Sequence, residues 1–146
     1  MIADWTIRGN YDYLFSVDSD VTFDSNVLQK FIDHDVDIVS GVYRQRKSEQ
    51  ILEIYSSEGG NMAWVDLRGK QLVEIGACGF GCVLVKREVL EGVGQPAFEY
   101  HVALDHKNTI SEDWDFCAKA RDKGFKVWAD TDVVCGHIGS TTFKVS

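Results

Sequence analysis

The chain has 146 residues, 45% of them hydrophobic, which is enough material for one substantial core and too little to predict two. Its formal net charge of −8 and the scatter of its Lys and Arg residues argue against a nucleic-acid partner. No segment has the roughly 18 continuous apolar residues of a membrane span, and residues 1–10 lack the pattern of a secretion signal. We therefore expect one soluble, cytoplasmic domain over residues 1–146.

The first part of the chain has the order strand, helix, strand. Residues 11–17 (YDYLFSV) form a mostly apolar run that fits a buried strand, and the polar residues 18–20 follow it. Asp24 or Ser25 can cap a helix with one apolar face. Residues 37–43 (DIVSGVY) fit a second buried strand. This order predicts a β-α-β unit in which the two strands pair in parallel.

Short elements follow in the middle of the chain. Three apolar segments separated by Ser, Gly and Asp indicate strands or hairpins laid across the main sheet, namely residues 51–55, 62–65 and 71–77. Residues 82–85 then fit a strand and residues 87–90 a short helix, with glycines after it as a stop.

Ser111 is predicted to cap a helix that runs to about Lys123. Acidic residues fill the first turn of this helix, where negative charge is favourable, and Gly124 supplies the stop. Residues 126–129 and 133–135 complete the order as short strands. Together the elements predict an α/β fold with a mixed sheet flanked by helices.

The cysteines of a chain with this much core material do not suggest a disulfide scaffold. We expect buried, reduced thiols. The alternative is a zinc site formed by Cys78, Cys82, Cys135 and His137. A Cys-x3-Cys pair followed by Cys-x-His departs from the usual spacings of structural zinc sites.

Asp18 and Asp20 directly follow the first predicted strand and are separated by one small residue. Two such carboxylates can present oxygens to one hard cation and leave its remaining positions open to phosphate. An acidic chain needs such a cation to hold a nucleotide diphosphate, because its own charge repels anions. The alternative is an ordinary loop in which an Asp turns the chain or caps the next helix.

Four segments resemble, in the same order, motifs of GT-A glycosyltransferases of the family-2 type. They are YDYLFSVDSDVTFD at 11–24, EIGACGFGCVLVKRE at 74–88, SEDWDF at 111–116 and VCGHIG at 134–139. The resemblance covers nearly the whole chain and implies a GT-A (Rossmann-like) mixed sheet. Family members usually place base-binding β-α-β-α elements before the Asp-x-Asp strand, whereas about ten residues precede it here. The resemblance therefore implies an incomplete, N-terminally truncated GT-A domain.

The resemblance also implies a metal centre. Asp20 would be the direct ligand of Mn²⁺ or Mg²⁺, and Asp18 would contact the donor ribose or the hydration shell of the metal. His137 would be a third metal ligand. The alternative for His137 is a histidine whose hydrogen bonds are satisfied at a strand end, and imidazole suits Mn²⁺ better than Mg²⁺.

Asp113 is the candidate general base. Its neighbours Glu112 and Asp115 carry like charges that raise a carboxyl pKa, whereas the helix dipole lowers it, so the sequence does not give the net direction. Glu112 and Asp115 are candidates to bind acceptor hydroxyls. The alternative for all three residues is simple compensation of the helix dipole.

Four further positions are candidates for contacts with the sugar donor or acceptor. Gly79 and Gly81 would let a sugar ring approach the main chain, or they belong to a turn or bulge. Trp114 is a possible sugar platform, or part of the core. Arg44 and its neighbours up to Arg46 would reach donor phosphates or the acceptor, or they form a solvated loop.

The implied reaction moves a sugar from a UDP- or GDP-linked donor to a glycan or other hydroxyl acceptor. Direct attack by a hydroxyl that Asp113 deprotonates inverts the anomeric configuration, while a retaining enzyme could use the same metal loop. The first alternative is a non-catalytic GT-A-like binding module that has lost transfer. A metal-dependent nucleotidyltransferase is a weaker alternative, since there is no phosphate-binding Gly-rich Lys loop. A sheet without its first strands exposes an apolar edge, which predicts a homo-oligomer.

Overall fold

The structure is a computed structural model that describes residues 2–45, 51–102 and 109–139, and the backbone of 142–143. Its helices are α1 (Ile2–Arg8), α2 (Val27–His34), α3 (Trp64–Leu67), α4 (Arg87–Val93) and α5 (Glu112–Asp122). Its strands are β1 (Tyr13–Val17), β2 (Val21–Thr22), β3 (Ile38–Val42), β4 (Ile51–Tyr55), β5 (Asn61–Ala63), β6 (Leu72–Ile75), β7 (Ala77–Cys78), β8 (Cys82–Lys86), β9 (His101–Val102), β10 (Thr109–Ile110), β11 (Val127–Val134), β12 (Gly136–Ile138) and β13 (Thr142–Phe143).

A five-stranded mixed sheet with the order β1-β8-β3-β11-β6 forms the centre of the fold. β3 and β11 are parallel neighbours, whereas β8 runs antiparallel to β1 and β3, and β6 runs antiparallel to β11. Three smaller sheets accompany it, with the orders β13-β12-β2, β5-β4-β7 and β10-β9. The predicted α/β class, with a mixed sheet flanked by helices, is confirmed.

The central sheet separates two hydrophobic cores. Alternate residues of β3 point to opposite faces, with Ile38 and Val42 in the first core and Val39 in the second. α4 and α5 cover the first core, where Phe116 is fully buried, and α2 covers the second, where Phe31 is 1% exposed. Both faces of β3 are therefore covered, which explains why all five of its residues are buried, Ser40 included.

The predicted direct pairing of β1 with β3 is wrong. β8 lies between them, and its Val85 is paired with Leu14 on one side and Ile38 on the other. The physical reason is that β8 supplies apolar side chains to both cores, Val83 and Val85 to the first and Leu84 to the second. A strand of that kind is most stable inside a sheet that is covered on both faces. β1 and β3 still run in the same direction.

The helices follow the prediction in part. The Ser111 cap of α5 is confirmed, because its side chain accepts a hydrogen bond from the backbone N–H of Trp114. The predicted cap of α2 at Asp24 or Ser25 is wrong, since the cap position is Asn26 and it makes no side-chain cap bond. α4 continues three residues beyond the predicted range, to Val93. α1 was not predicted, although it contributes the buried Ala3 to the first core.

Three strand predictions need correction. Residues 64–65 belong to helix α3 rather than to a strand, so the predicted 62–65 segment is divided between β5 and α3. β6 is an edge strand of the central sheet and does not lie across it. The two strands predicted for residues 126–135 form the single strand β11, whose pairing with β3 is irregular between Ala129 and Val134. No helix in the described ranges is both long and apolar enough to span a membrane.

Candidate functional site

A cavity of about 840 Å³ lies along one edge of β1. Within the described ranges β1 pairs with β8 alone, and four consecutive β1 residues, 14–17, line the cavity. Because successive side chains of a strand point to opposite faces, a run of four lining residues means that the backbone edge itself faces the cavity. Asp18 at the end of β1 lines it together with Glu112 and Asp113 at the start of α5. Two of the predicted acidic motifs therefore share one cavity.

The carboxyl group of Asp113 is half-buried, and its pKa is raised from 3.8 to about 6. Burial is the main cause, and the charges of Glu112, Asp18 and Glu53 raise the pKa further. The backbone N–H of Phe80 donates to Asp113 Oδ2 at 3.2 Å and opposes this rise without cancelling it. The sequence left open whether the pKa of Asp113 is raised or lowered, and in the structure it is raised. Asp113 can therefore exchange a proton near neutral pH.

The loop of residues 79–81 connects the end of β1 to Asp113. Ser16 Oγ donates to the carbonyl of Phe80 at 3.0 Å, and the N–H of Asp18 donates to the carbonyl of Gly81 at 3.0 Å. The N–H of Phe80 holds Asp113 on the opposite side. Backbone groups of this short loop therefore fix the backbone of Asp18 and the carboxylate of Asp113.

His137 lies next to Asp20, as β12 and β2 are paired with His137 opposite Val21. Its Nε2 is 3.3 Å from Asp20 Oδ2, and its Nδ1 is 2.9 Å from the carbonyl oxygen of Arg44. A carbonyl oxygen only accepts hydrogen bonds, so Nδ1 carries a proton. In the neutral imidazole Nε2 is then an acceptor that faces a carboxylate oxygen. A cation bound to both atoms would turn this contact into a favourable one.

The pair formed by Asp20 and His137 fits a divalent cation. Adjacent ligands of an octahedral ion with bonds of ~2.1 Å lie roughly 3 Å apart, which is close to the observed separation. A ligating imidazole characteristically donates its other N–H to a carbonyl, as His137 does to Arg44. A carboxylate with an imidazole suits Mn²⁺ better than Mg²⁺. Asp18 lies on the same turn but faces the cavity.

Asp115 lies in a different environment from Asp113. The ammonium group of Lys119 is 2.7 Å from Asp115 Oδ2 and 2.6 Å from Glu99 Oε2, and His101 Nε2 is 3.1 Å from Asp115 Oδ1. Burial raises the pKa of Asp115, but hydrogen bonds from Lys119 and His101 outweigh it and hold the pKa below its usual value. Asp115 does not line the cavity that contains Asp113.

Glu99, His101 and Asp115 are also the one group of three ligand residues within the described ranges whose ligand atoms lie within 4.8 Å of one another. The Lys119 ammonium already supplies a positive charge to both carboxylates, so it offsets part of their negative charge without a metal. We interpret it as an ion-pair network that fastens residues 96–101 to α5. Sequence reasoning missed this network, although Asp115 and Lys119 have the i, i+4 spacing of a helical ion pair.

Trp114 points away from the cavity. It packs against the first core and lines a separate groove of about 500 Å³ with Phe125 and Lys126. The structure therefore does not bring Trp114 together with Asp18 and Asp113. A sugar platform at Trp114 stays a prediction, and it would belong to a different groove.

Gly79 and Gly81 both pack against the side chain of Tyr43. A Cβ atom at Gly79 would lie 2.6 Å from Tyr43 Oη, and one at Gly81 would lie 2.5 Å from it. The hydroxyl of Tyr43 also accepts a hydrogen bond from the N–H of Gly81 at 3.0 Å. Packing of Tyr43 is thus what the structure shows for these glycines, and a sugar contact at either one stays a prediction.

Arg44 contributes its backbone to the site. It forms an isolated β-bridge with Leu52, and its carbonyl holds the imidazole of His137. A contact between its side chain and donor phosphates stays a prediction, and Arg46 lies outside the described residues.

The four cysteines are buried and unbridged. Cys78 interacts with Cys117 in the first core, and Cys82 interacts with Cys135 in the second. The set proposed for zinc is therefore divided between the two sides of the sheet. The hydrogen bond with Cys117, together with burial, raises the pKa of the Cys78 thiol.

No protein-family model and no curated protein matches the chain. Among solved structures, the chain is similar to the crystal structure of A197 from STIV, with a TM-score of 0.63 and 23% sequence identity. The similarity covers 94% of this chain and 64% of the A197 chain, so this chain spans less than two thirds of the length of A197. At this identity the similarity shows a shared α/β fold and does not extend to activity.

Proposed function

We propose that this chain forms the catalytic centre of a metal-dependent glycosyltransferase of the GT-A type. The observation that carries the proposal is the position of Asp113, a carboxylate with a raised pKa, in one cavity with Asp18. The Asp20–His137 pair on the adjoining turn adds a site that fits a divalent cation. These positions are ones that three of the four family-like motifs imply. The cavity volume lies within the range of small-molecule sites.

In the proposed reaction, Asp113 takes the proton of an acceptor hydroxyl. The hydroxyl oxygen then forms a bond to the anomeric carbon of the donor sugar, and the bond from that carbon to the diphosphate breaks. A pKa of about 6 suits this role, because the group is ionised at neutral pH and basic enough to accept a proton. The Phe80 N–H holds the carboxylate in place during the transfer.

Asp20 and His137 would hold the cation, and Asp18 would contact the donor. Bound Mn²⁺ or Mg²⁺ neutralises charge on a diphosphate leaving group. The chain itself has a net charge of −8, and acidic side chains line the cavity, so it repels an uncompensated diphosphate. Donor binding should therefore require the cation.

The substrates in this proposal are a UDP- or GDP-linked sugar and a glycan or other hydroxyl acceptor. The reaction would take place in the cytoplasm, where buried reduced thiols such as those of the four cysteines are stable. The edge of β1 that carries no strand within the described ranges would also favour association with a second copy.

The test is calorimetric titration with UDP and GDP, each with and without Mn²⁺. Asp20→Asn keeps the size of the side chain and removes the charged ligand. Asp66→Asn makes the same change at an exposed position on α3 and is the matched control. We expect binding that needs Mn²⁺, is lost in Asp20→Asn and is retained in Asp66→Asn. Sugar nucleotides of the base that binds are then screened for transfer.

Two results would contradict the proposal. Binding or turnover that is unchanged in Asp20→Asn would remove the metal centre from the reaction. Metal-dependent binding without consumption of any sugar nucleotide would instead favour the binding module that has lost transfer.

A further inference from the structure

Tyr43 lies between the Asp20–His137 pair and the loop of residues 79–81. It is buried directly after β3, and its ring meets the ring of His137 edge-on, with centroids 5.6 Å apart. Its hydroxyl accepts a hydrogen bond from the N–H of Gly81 at 3.0 Å. Tyr43 therefore contacts both the candidate cation ligand and the loop that leads to Asp113.

The side chain of Tyr43 fits this loop closely. Each flanking glycine leaves a space that a Cβ atom would fill, and Tyr43 Oη takes that space at both Gly79 and Gly81. Burial raises the pKa of the Tyr43 phenol, so the hydroxyl stays protonated and uncharged. The backbone of Tyr43 adds a second link, since its carbonyl accepts from the N–H of Glu53 and the carbonyl of Glu53 accepts from the N–H of Gly79.

We propose that Tyr43 is a positioning residue for sugar transfer, because it fixes the loop of residues 79–81 and this loop sets Asp113 relative to Asp18. The chain of contacts is short. Tyr43 holds Gly81, the carbonyl of Gly81 holds the N–H of Asp18, and the N–H of the adjacent Phe80 holds the carboxylate of Asp113. A displaced loop would move Asp113 away from the end of β1, where the donor would bind. The effect on sugar transfer rests on the proposed function. The effect of Tyr43 on the position of the loop can be measured without turnover.

The test is Tyr43→Phe, which keeps the ring and its contact with His137 and removes only the hydroxyl. We expect kcat to fall ten- to a hundredfold with KM and Mn²⁺ affinity within twofold of the wild type, since small displacements of reacting groups have large effects on rate. Hydrogen exchange of the Phe80 amide should become at least tenfold faster, while the core amide of Val83 is unchanged. Tyr13→Phe, which removes a hydroxyl at the opposite end of β1 from Asp18, is the matched control and should change neither quantity.

A second variant approaches the same contact from the loop. Gly79→Ala introduces a methyl group against Tyr43 Oη and should produce the same local rise in exchange at Phe80. Tyr43→Phe could lower the melting temperature so far that local exchange is not separated from global unfolding. In that case Gly79→Ala tests whether Tyr43 positions the loop of residues 79–81.

The two readouts separate the two proposals. Unchanged Phe80 exchange in both variants, or wild-type kcat in a Tyr43→Phe variant with a displaced loop, would overturn the role of Tyr43. If the wild type transfers no sugar, the proposed function fails, and faster Phe80 exchange in the variants would still support placement of the loop by Tyr43.

Discussion

Replacing Asp113 with Asn should stabilise the protein at neutral pH. Asn keeps the shape of the side chain and an oxygen that can accept from the Phe80 N–H, but it cannot ionise. The pKa of Asp113 is about 6 in the folded chain, against an ordinary value of 3.8. Between these pH values the folded wild type binds a proton that the unfolded chain has released. The stability of the wild type relative to the variant therefore falls as pH rises from about 4 to about 6, and stays lower above that range.

The size of the effect follows from the pKa difference. One pKa unit corresponds to ~1.36 kcal/mol, so a rise from 3.8 to about 6 corresponds to about 3 kcal/mol. Asp113 is only half-buried, and solvent screening reduces this upper value. We expect Asp113→Asn to be roughly 1–2 kcal/mol more stable than the wild type at pH 8 and equal to it near pH 4. In a chain of this length that difference raises Tm by about 3–6 °C.

Urea unfolding of both proteins at intervals from pH 4 to pH 8 measures this difference directly. Other titrating groups are common to the two chains and largely cancel, and Asp66→Asn controls for the loss of one negative charge at an exposed position. Transfer by Asp113→Asn should be about 10²–10⁴-fold slower, since the proton acceptor is lost. A stability difference that does not change with pH, or a wild type that is more stable at pH 8, would refute the reasoning about burial of this carboxylate.

Three further predictions concern other parts of the chain. Lys119→Met should destabilise the protein by roughly 1–2 kcal/mol at pH 7 in urea unfolding, because Asp115 loses its ammonium partner in a pair that is partly exposed to solvent. The difference in the free energy of unfolding between wild type and variant should become smaller in acid. The pKa of Asp115 is lowered in the wild type, and once its carboxyl is protonated there the ion pair with Lys119 is lost. His137→Gln should weaken Mn²⁺ binding at least tenfold by calorimetry, because the imidazole ligand is lost; equal affinity would exclude His137 as a ligand. The four buried thiols should react with a thiol reagent at least a hundredfold faster in denaturant than in the native state, and rapid native labelling would contradict their burial.

The elements that the sequence predicts well are those in which local chemistry and burial agree. β3 is buried throughout because both of its faces are covered, and most of its residues are apolar. α5 begins directly after Ser111 because the hydroxyl caps the first turn. Both signals are contained in fewer than a dozen neighbouring residues. They therefore do not depend on how the rest of the chain folds.

The order of strands in the sheet depends on distant segments and was not predictable in the same way. Residues 82–86 look like an ordinary apolar strand, and nothing local shows that they lie between β1 and β3. The ion pairs of Lys119 with Glu99 likewise depend on how residues 96–101 return to α5. Pairings of this kind are settled by packing of the whole chain, which a local pattern does not contain.

In the candidate site, too, some residues could be predicted from the sequence and others only from the folded structure. The spacing of Asp18 and Asp20 and the family-like motif around His137 made these residues candidates, and the structure places His137 against Asp20. Nothing in the sequence singles out Tyr43, because a tyrosine at the end of a buried strand is usually part of the core. Its role becomes visible only when the space beside Gly79 and Gly81 is seen to be filled by its hydroxyl.

Asp113 and Asp115 show why residue type alone does not assign a role. Successive residues of an α-helix are turned by about 100°, so two residues separated by one position point in nearly opposite directions. Asp113 consequently faces a cavity with other carboxylates, where burial raises its pKa to about 6. Asp115 meets Lys119 and His101, whose hydrogen bonds hold its pKa below the usual value. Of these two carboxylates, only Asp113 can gain and release a proton near neutral pH, and the proposed reaction requires that of its base.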